Sequence, residues 1–166
     1  MEGIPIRGAR RGDIPALLLL WSAMVEENAR LEPRLVPHPH AREHMTQQFS
    51  QWLTDPEREV VVAEERGRVL VGFAAARITS GTGWHKPTRL GEITDLFVVP
   101  PRRRKGVGRR LVGRLCDLLY DKDAAIARCR VVQANPGALA FWRSMGWELL
   151  EEVLEKDPED QAPRTD

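Results

Sequence analysis

The stretch that decides the fold is ITDLFVVPPRRRKGVGRRLV, residues 93–112. An apolar strand is predicted up to Val99, because Pro100 and Pro101 cannot continue the hydrogen bonding of a strand. A basic loop with two glycines follows, and then a helix whose apolar residues recur at helical spacing. Free backbone N–H groups and the positive end of the helix dipole therefore meet a cluster of cationic side chains. This combination predicts a binding site for a polyphosphate.

The patterns on either side of this stretch predict the element order β-α-α-β-β-β-α-β-α-β. This order indicates an α/β fold with a mixed, partly parallel central sheet flanked by helices. A hairpin is expected around Arg66-Gly67-Arg68, and a helical crossover implies parallel pairing later in the chain. The last strand is predicted at Trp147–Leu154. We expect residues 1–155 to form one domain and the polar residues 156–166 to be a mobile tail.

The composition restricts the class of protein. The chain has 166 residues, a net charge of +1, 42% hydrophobic and 30% charged residues. Basic charge is therefore local, and we expect neither a nucleic-acid nor a membrane partner. No apolar run approaches the roughly 20 residues that a membrane span needs, and the N-terminus does not resemble a secretory signal. We expect a cytoplasmic protein, and exposed edge strands near its C-terminus are compatible with a homodimer.

Three kinds of ligand could explain a strand, a basic glycine loop and a helix in this order. A P-loop requires a Ser or Thr after its Lys to hold magnesium, and this loop has neither. A dinucleotide site requires Gly-x-Gly-x-x-Gly, whereas here Gly106-Val107-Gly108 is followed by Arg109 and no third spaced glycine. Coenzyme A is the third candidate, since its pyrophosphate needs no metal where backbone N–H groups and a helix N-terminus surround it.

Two motifs resemble those of the GNAT superfamily of N-acetyltransferases. The family signature Gln/Arg-x-x-Gly-x-Gly/Ala appears as Arg103-Arg104-Lys105-Gly106-Val107-Gly108. A second motif is present as Asn135-Pro136, Ala140-Phe141-Trp142 and Gly146-Trp147. The signature is weak by itself, but both motifs occur in the family order and spacing. The resemblance spans roughly Ile4 to Leu154.

The resemblance implies acetyl-CoA as cosubstrate, no metal, and a set of binding residues. Gly106 and Gly108 would let backbone approach the pyrophosphate, because they lack Cβ. The pantetheine arm would pair with the strand backbone, and one N–H there would bind the thioester carbonyl as a small oxyanion hole. Asn135 would contact the pantetheine or a water, or cap the helix that follows. The implied residues are Leu96, Phe97, Val98, Arg103, Arg104, Lys105, Gly106, Val107, Gly108, Arg109, Asn135 and Phe141.

Two carboxylates are candidates for the base that removes a proton from an attacking amine. Strict strand alternation would place Glu92 on one face of its strand and Asp95 on the other. Glu92 lies eleven residues before Arg103, which is the spacing of the base in the histone-acetylating branch of the family, so Glu92 is the first candidate. Asp95 is the second. Either could instead have another role, Glu92 in binding a cationic substrate and Asp95 in pairing with an arginine.

Trp142 departs from the family pattern, because many members have a catalytic tyrosine at this position. Indole N–H can donate a hydrogen bond but cannot release its proton at neutral pH. Trp142 or water would therefore stabilise the leaving thiolate. Direct attack is expected, since no cysteine lies in the motif.

Two alternatives remain, a coenzyme A-binding regulator without turnover and a nucleic-acid binder using residues 102–110. The acceptor is open between a polyamine, an antibiotic amine, an amino acid and a protein amine. Trp84 and His85 are candidates for its wall.

Overall fold

The computed structural model describes residues 3–81 and 89–155, which form a five-stranded sheet with helices on both faces. The strands are β1 (Ile6–Gly8), β2 (Arg58–Glu65), β3 (Val69–Ser80), β4 (Arg89–Val98) and β5 (Ile126–Cys129). The helices are α1 (Ile14–Leu31), α2 (Ala41–Trp52), α3 (Val107–Tyr120) and α4 (Pro136–Ser144). The order across the sheet is β1-β2-β3-β4-β5. All neighbours are antiparallel except β4 and β5, which are parallel.

The sheet separates two hydrophobic layers. On the α3 face, the apolar stripe of α3 is buried against β2, β3 and β4, with Leu111 and Leu115 fully buried. On the α1/α2 face, Leu17 and Phe49 pack against Phe73 and Phe97. Both sides of the sheet are covered, so its central strands are apolar on both faces, which explains the runs Val60–Ala63 and Val71–Ala76.

The predicted α/β fold is confirmed, including the hairpin at Arg66–Arg68 and the parallel crossover through α3. The predicted last strand is wrong, because residues 147–155 form no strand. The local pattern Trp147, Leu149 and Val153 fits one face of a strand, but a strand also requires a partner to pair with, which local sequence does not supply. The aliphatic residues of the segment are Leu149, Leu150, Val153 and Leu154. All four side chains are at least 66% exposed.

Three further predictions concern segments that lie wholly or partly outside the described residues. Trp84 and His85 lie outside the described residues, as does the tail from residue 156. The prediction that residues 1–155 form a single domain stays a prediction. Within the described ranges, no helix has the length and apolar character needed to cross a membrane.

One irregularity in β4 changes which side chains share a face. Ala75 pairs with Asp95 but Ala76 pairs with Ile93, so Thr94 is an extra residue in β4, a β-bulge. Ile93 before the bulge and Leu96 after it both contact the α3-face layer, whereas Phe97 belongs to the α1/α2 layer. Strict alternation is therefore broken at Thr94.

Candidate active site

β4 and β5 separate halfway along β4, and a cleft opens between them. Their parallel pairing covers Leu90 to Ile93 of β4 and ends there. Above that point lies a cleft of about 560 Å³. Its walls are the free edge of β4, the loop before α3, helix α4 and the C-terminal half of α1. The parallel crossover through α3 brings the free strand edge and the helix N-terminus into the same cleft.

The free edge of β4 presents backbone groups of two residues. The N–H of Val99 donates to Val71 O at 2.9 Å, so this antiparallel pair is hydrogen-bonded. Hydrogen-bonded pairs alternate along an antiparallel ladder, which makes Phe97 the next residue turned toward β3. Leu96 and Val98 therefore turn their N–H and C=O groups into the cleft. The carbonyl of Val98 already accepts a hydrogen bond from Arg103 Nε at 2.8 Å.

The loop before α3 forms a concave surface of backbone amides. Arg104 and Gly106 both have positive φ, 61° and 79°. Such left-handed residues turn successive N–H groups toward one side, which makes an anion-binding nest. The nest continues into the first turn of α3, whose N–H groups have no partner within the helix. Gly106 is favoured here by its backbone conformation rather than by crowding, because no atom lies within 4 Å of an added Cβ.

The second glycine of the signature has a different structural reason. A Cβ on Gly108 would lie 3.3 Å from the Phe141 ring. Gly108 thus allows α4 to pack closely against the start of α3. Phe141 stands between the two and lines the cleft.

The arginines of the basic loop differ in whether they form ion pairs within the protein. Arg102 pairs with Glu65, with a distance of 3.0 Å from its second terminal nitrogen to Oε2. Arg103 forms a bidentate pair with Glu27 of α1, with N–O distances of 3.0 and 2.7 Å. Arg104 and Arg109 line the cleft without a carboxylate partner among the described residues. Arg109 donates to Ser144 O at 3.3 Å, but neither guanidinium group is neutralised by a described carboxylate, so both can attract an anion in the cleft.

Most of the residues predicted for the site lie around the cleft. Those that line it are Asp95, Leu96, Phe97, Val98, Arg103, Arg104, Gly106, Gly108, Arg109, Asn135, Phe141 and Trp142. Three of the predicted residues, Glu92, Lys105 and Val107, do not line the cleft. Lys105 donates to Pro101 O at 3.1 Å on the outside of the loop, and the side chain of Val107 is buried in the core. Glu92 lies below the cleft.

The prediction that Glu92 and Asp95 point to opposite faces is wrong. The bulge at Thr94 inserts one residue between them, so both carboxylates lie on the α1/α2 face. Their opposite residues on β3 are Arg77 and Ala75. The two candidate bases therefore lie on the same side of the sheet but face different neighbours.

The environments of these two carboxylates differ strongly. Arg77 Nε donates to Glu92 Oε2 at 2.6 Å, and the Arg130 guanidinium lies 3.8 Å from Oε1. Glu92 is thus occupied by an ion pair. Asp95 lines the cleft and has no ion pair among the described residues. Burial raises the pKa of the Asp95 carboxyl above its usual value, although a hydrogen bond from Thr94 at 2.7 Å opposes this shift.

Trp142 packs in an aromatic cluster and Asn135 caps a helix. Each keeps one N–H donor that these structural roles do not use. The Trp142 ring is 8% exposed and packs edge-on against Phe141 and Trp147, with centroids 5.4 and 4.7 Å away. Its indole N–H donates to no acceptor within residues 3–81 and 89–155. Asn135 Oδ1 accepts from Ala138 N at 2.9 Å and caps α4, which leaves its amide nitrogen free of that contact.

Sequence reasoning missed several residues of the cleft. Met24, Glu27 and Asn28 of α1 form part of its wall, and their spacing of three and four residues puts them on one helix face. Cys129 also lines the cleft. Burial, with a further contribution from Cys116, raises the pKa of the Cys129 thiol to about 11. Cys129 is therefore protonated at neutral pH and is a weak nucleophile.

No group of three or more His, Cys, Asp or Glu side chains suited to a metal ion occurs in the described part of the chain. The site consists of a free strand edge, an amide nest, two available arginines and a partly desolvated carboxylate. The geometry defines an α/β protein with a cleft for an elongated, phosphate-bearing molecule.

Residues 21–147 match the model of the acetyltransferase (GNAT) family. The chain belongs to this family, and the predicted resemblance is confirmed: the protein is a GNAT-type acetyltransferase. An uncharacterized N-acetyltransferase of Archaeoglobus fulgidus is 26% identical over 142 residues, which is 84% of this chain and 89% of the relative.

Solved structures share the fold at low sequence identity. A mutant of the BH1408 protein of Bacillus halodurans superposes with a TM-score of 0.81 and 18% identity, covering 92% of this chain and 98% of that one. A predicted acetyltransferase of Clostridium acetobutylicum, solved with acetyl-CoA, gives a TM-score of 0.76 and 18% identity, covering 96% and 99%.

Proposed function

We propose that this protein transfers the acetyl group of acetyl-CoA to an amine by direct attack of the amine on the thioester. The observation that carries this proposal is the continuous path from the free β4 edge to the amide nest at α3. A thioester with a long amide-containing arm and a pyrophosphate matches both ends of this path. The structural neighbour from Clostridium acetobutylicum was solved with acetyl-CoA, which supports the same cosubstrate here.

The described residues fit acetyl-CoA in their donor chemistry. The N–H groups of Leu96 and Val98 can pair with the amide carbonyls of the pantetheine arm or with the thioester carbonyl. An N–H that points at the thioester oxygen stabilises the negative charge that develops there, and removal of one such donor typically costs about 2.7–4 kcal/mol. The nest at Arg104–Gly106 and the guanidinium groups of Arg104 and Arg109 can bind the pyrophosphate.

Arg103 acts in this site as a positioning residue. Its guanidinium bridges Val98 O and Glu27, so it fixes the end of β4 relative to α1. The bond also occupies one carbonyl of the β4 edge. The other backbone groups of Leu96 and Val98 are left for the pantetheine arm.

Asp95 is the base that best fits the geometry. It lies in the cleft beside the β4 edge, and its raised pKa makes its carboxylate a better proton acceptor than an ordinary aspartate. Glu92 is hydrogen-bonded to Arg77 and lies below the cleft, so it does not face the bound amine. We therefore assign proton removal to Asp95 and the positioning of neighbouring arginines to Glu92.

Direct attack requires no enzyme nucleophile. Cys129 is the thiol that lines the cleft, and its raised pKa of about 11 disfavours an acyl-cysteine. The Trp142 N–H can donate to the departing thiolate. Since indole holds its proton at neutral pH, solvent supplies the proton that completes thiol release.

The experiment combines thermal stabilisation with a thiol-release assay over a panel of amines. Acetyl-CoA at 100 times its Kd should stabilise the protein by about 2.7 kcal/mol, and an accepted amine should release free thiol in proportion to acetylated product. Stabilisation without turnover on any amine would instead identify a regulator. An unchanged melting temperature together with steeply salt-dependent binding to DNA or RNA would identify a nucleic-acid binder.

A further inference from the structure

Four charged side chains form a row across four strands of the sheet. Arg58 of β2 is opposite Arg77 of β3, Arg77 is opposite Glu92 of β4, and Glu92 is opposite Arg128 of β5. Residues opposite each other project from the same face of a sheet. The row lies on the α1/α2 face, because the sequence neighbours Ala76, Ile93 and Cys129 contact the α3-face layer. We call Arg58, Arg77, Glu92 and Arg128 the charged row.

The row contains more cations than it can satisfy with its own acid. Glu92 is hydrogen-bonded to Arg77. Arg58 and Arg128 have no ion pair or hydrogen-bonded carboxylate among the described residues. The Nε of Arg128 is shielded from solvent and has no hydrogen-bond partner in that part of the chain. A shielded, unsatisfied donor is costly unless a ligand binds it.

Arg58 is held in place by a neutral ring rather than by an acid. Its guanidinium lies 4.5 Å from the centre of the Trp52 ring, a cation–π contact. Burial and, next, repulsion from Arg77 lower the pKa of Arg58, although Asp55, Asp95 and Glu92 oppose this shift. The largest of these effects is burial, so Arg58 is a partly desolvated guanidinium with no carboxylate hydrogen-bonded to it among the described residues.

Arg130 links the charged row to the cleft that contains the proposed base. Arg130, two residues beyond Arg128, lines the cleft, and its Nε lies 3.8 Å from Glu92 Oε1. Arg77 and Ala75, the partners of Glu92 and Asp95, are two residues apart on β3. Two residues of a strand span about 6.6 Å. An acceptor whose amine lies at Asp95 would therefore place a group about that far away among the guanidinium groups.

We propose that the acceptor is a small amine carrying a carboxylate, which the arginines of the charged row and Arg130 bind while the amine faces Asp95. This inference rests on the proposed acetyl transfer and specifies its substrate class. Planar guanidinium groups bind carboxylates through paired hydrogen bonds, so Arg128 Nε would gain the acceptor that the described residues do not supply. A polyamine would bring a second cation to the same arginines and would be rejected by repulsion.

The test uses three acceptors of matched length that differ at one end. δ-Aminovalerate carries a carboxylate, δ-aminovaleramide a neutral amide, and cadaverine a second amine. We expect kcat/KM to be at least tenfold higher for δ-aminovalerate than for the amide, mainly through KM, and lowest for cadaverine. A peptide with an N-terminal Gly-Glu sequence is the fourth acceptor. Preference for this peptide over δ-aminovalerate would overturn the assignment to a small molecule.

Variants connect the preference to the charged row. Arg128→Gln should raise KM for δ-aminovalerate about tenfold and leave KM for the amide unchanged. Arg114→Gln is the matched control, because Arg114 is exposed on α3, which packs on the opposite face of the sheet from the row. Equal KM values for δ-aminovalerate and the amide in the unmodified protein would overturn the inference.

Calorimetric titration into the protein with bound coenzyme A separates this inference from the proposed function. If no amine is acetylated but δ-aminovalerate binds at least tenfold more tightly than the amide, the carboxylate site stands and acetyl transfer fails. If amines are acetylated but the carboxylate gives no advantage in KM or in binding, acetyl transfer stands and the carboxylate site fails.

Discussion

At the scale of single residues, Asp95 and Glu92 show how neighbours divide the roles of two similar side chains. Glu92 has an arginine directly opposite on β3, whereas Asp95 has the small Ala75 opposite. Asp95 has no ion pair among the described residues, and burial raises the pKa of its carboxyl. The spacing to the basic loop favours Glu92 as the base, but spacing carries no information about cross-strand partners.

We predict that Asp95→Asn lowers kcat by about 10²–10⁴-fold, the range typical for loss of a general base. Acetyl-CoA binding should be nearly unchanged, because the amide is isosteric. The base must be deprotonated, so kcat/KM of the unmodified enzyme should rise with pH through the pKa of Asp95, above the usual aspartate value of 3.8. This acidic limb should be absent in the variant. Steady-state kinetics between pH 4 and pH 9, a range of about five units around that limb, measure both effects.

Glu92→Gln is the matched comparison for that prediction. Its main effect should be on acceptor KM, because Arg77 loses its partner while the base is retained. A loss of kcat in Glu92→Gln that equals or exceeds the loss in Asp95→Asn would return the role of base to Glu92.

At the scale of elements, the sequence defined the loop and α3 well but not the irregularities of the strands. The motif from Val98 to Leu111 predicts strand end, loop and helix, because prolines, glycines and helical spacing each leave a local signal. The bulge at Thr94 leaves none, since it depends on how β4 aligns with β3. The early end of β5 and the absence of a last strand also depend on pairing partners rather than on local sequence.

In the candidate site, too, the sequence predicts the residues of local motifs but not those that tertiary packing brings together. The resemblance to the family motifs groups the loop glycines with Asn135 and Phe141, and these residues line the cleft. Met24 and Asn28 come from a helix more than sixty residues earlier in the chain, and only tertiary packing brings them there. The Arg103–Glu27 pair has the same origin, because it links α1 to the loop across the sheet.

Two glycines near α3 allow a matched prediction. Gly106 has φ 79°, where an L-residue costs about 1–2 kcal/mol. Gly106→Ala should therefore lower the free energy of unfolding by about that amount and raise KM for acetyl-CoA as the nest distorts. Gly113 lies inside α3 with no atom within 4 Å of an added Cβ, so Gly113→Ala should stabilise the protein by about 1 kcal/mol. Urea unfolding and acetyl-CoA titration of both variants provide the measurements. Equal effects in both variants would contradict the conformational argument.

At the scale of the whole molecule, partly buried carboxylates differ in their effect on stability: one in the scaffold is ion-paired, and one in the candidate active site is not. Arg7 of β1 binds both Asp13, before α1, and Glu64 of β2, so one guanidinium joins three segments of the fold. The hydrogen bonds from Arg7 hold the pKa of Asp13 below its usual value. Asp95 is partly desolvated and has no ion pair with any described residue, and the pKa of its carboxyl is raised. One carboxylate therefore stabilises the fold in its ionised form, whereas ionisation of the other costs stability.

The sign of each effect follows from proton linkage. For Asp13, whose pKa is lowered on folding, the stabilisation is present above the unfolded-state pKa of 3.8 and is lost as pH falls through the folded-state value. For Asp95, whose pKa is raised on folding, stability is greatest below 3.8 and declines as pH rises through the folded-state value. Ionisation of Asp13 stabilises the fold and ionisation of Asp95 destabilises it, so neutralising the two groups should have opposite consequences.

We therefore predict that Asp13→Asn and Asp95→Asn change stability at pH 7 in opposite directions. Asp13→Asn should lower the free energy of unfolding by about 1–3 kcal/mol, because Arg7 loses a charged partner in a half-buried cluster. Asp95→Asn should raise it by about 1 kcal/mol, within the usual range for a single stabilising substitution, while activity falls. Urea unfolding at pH 7 and at pH 4 gives both values, and each difference from the unmodified protein should shrink at the lower pH. If Asp95→Asn is less stable than the unmodified protein at pH 7, its carboxylate is satisfied in the fold, and the physical basis for assigning it as the base is removed.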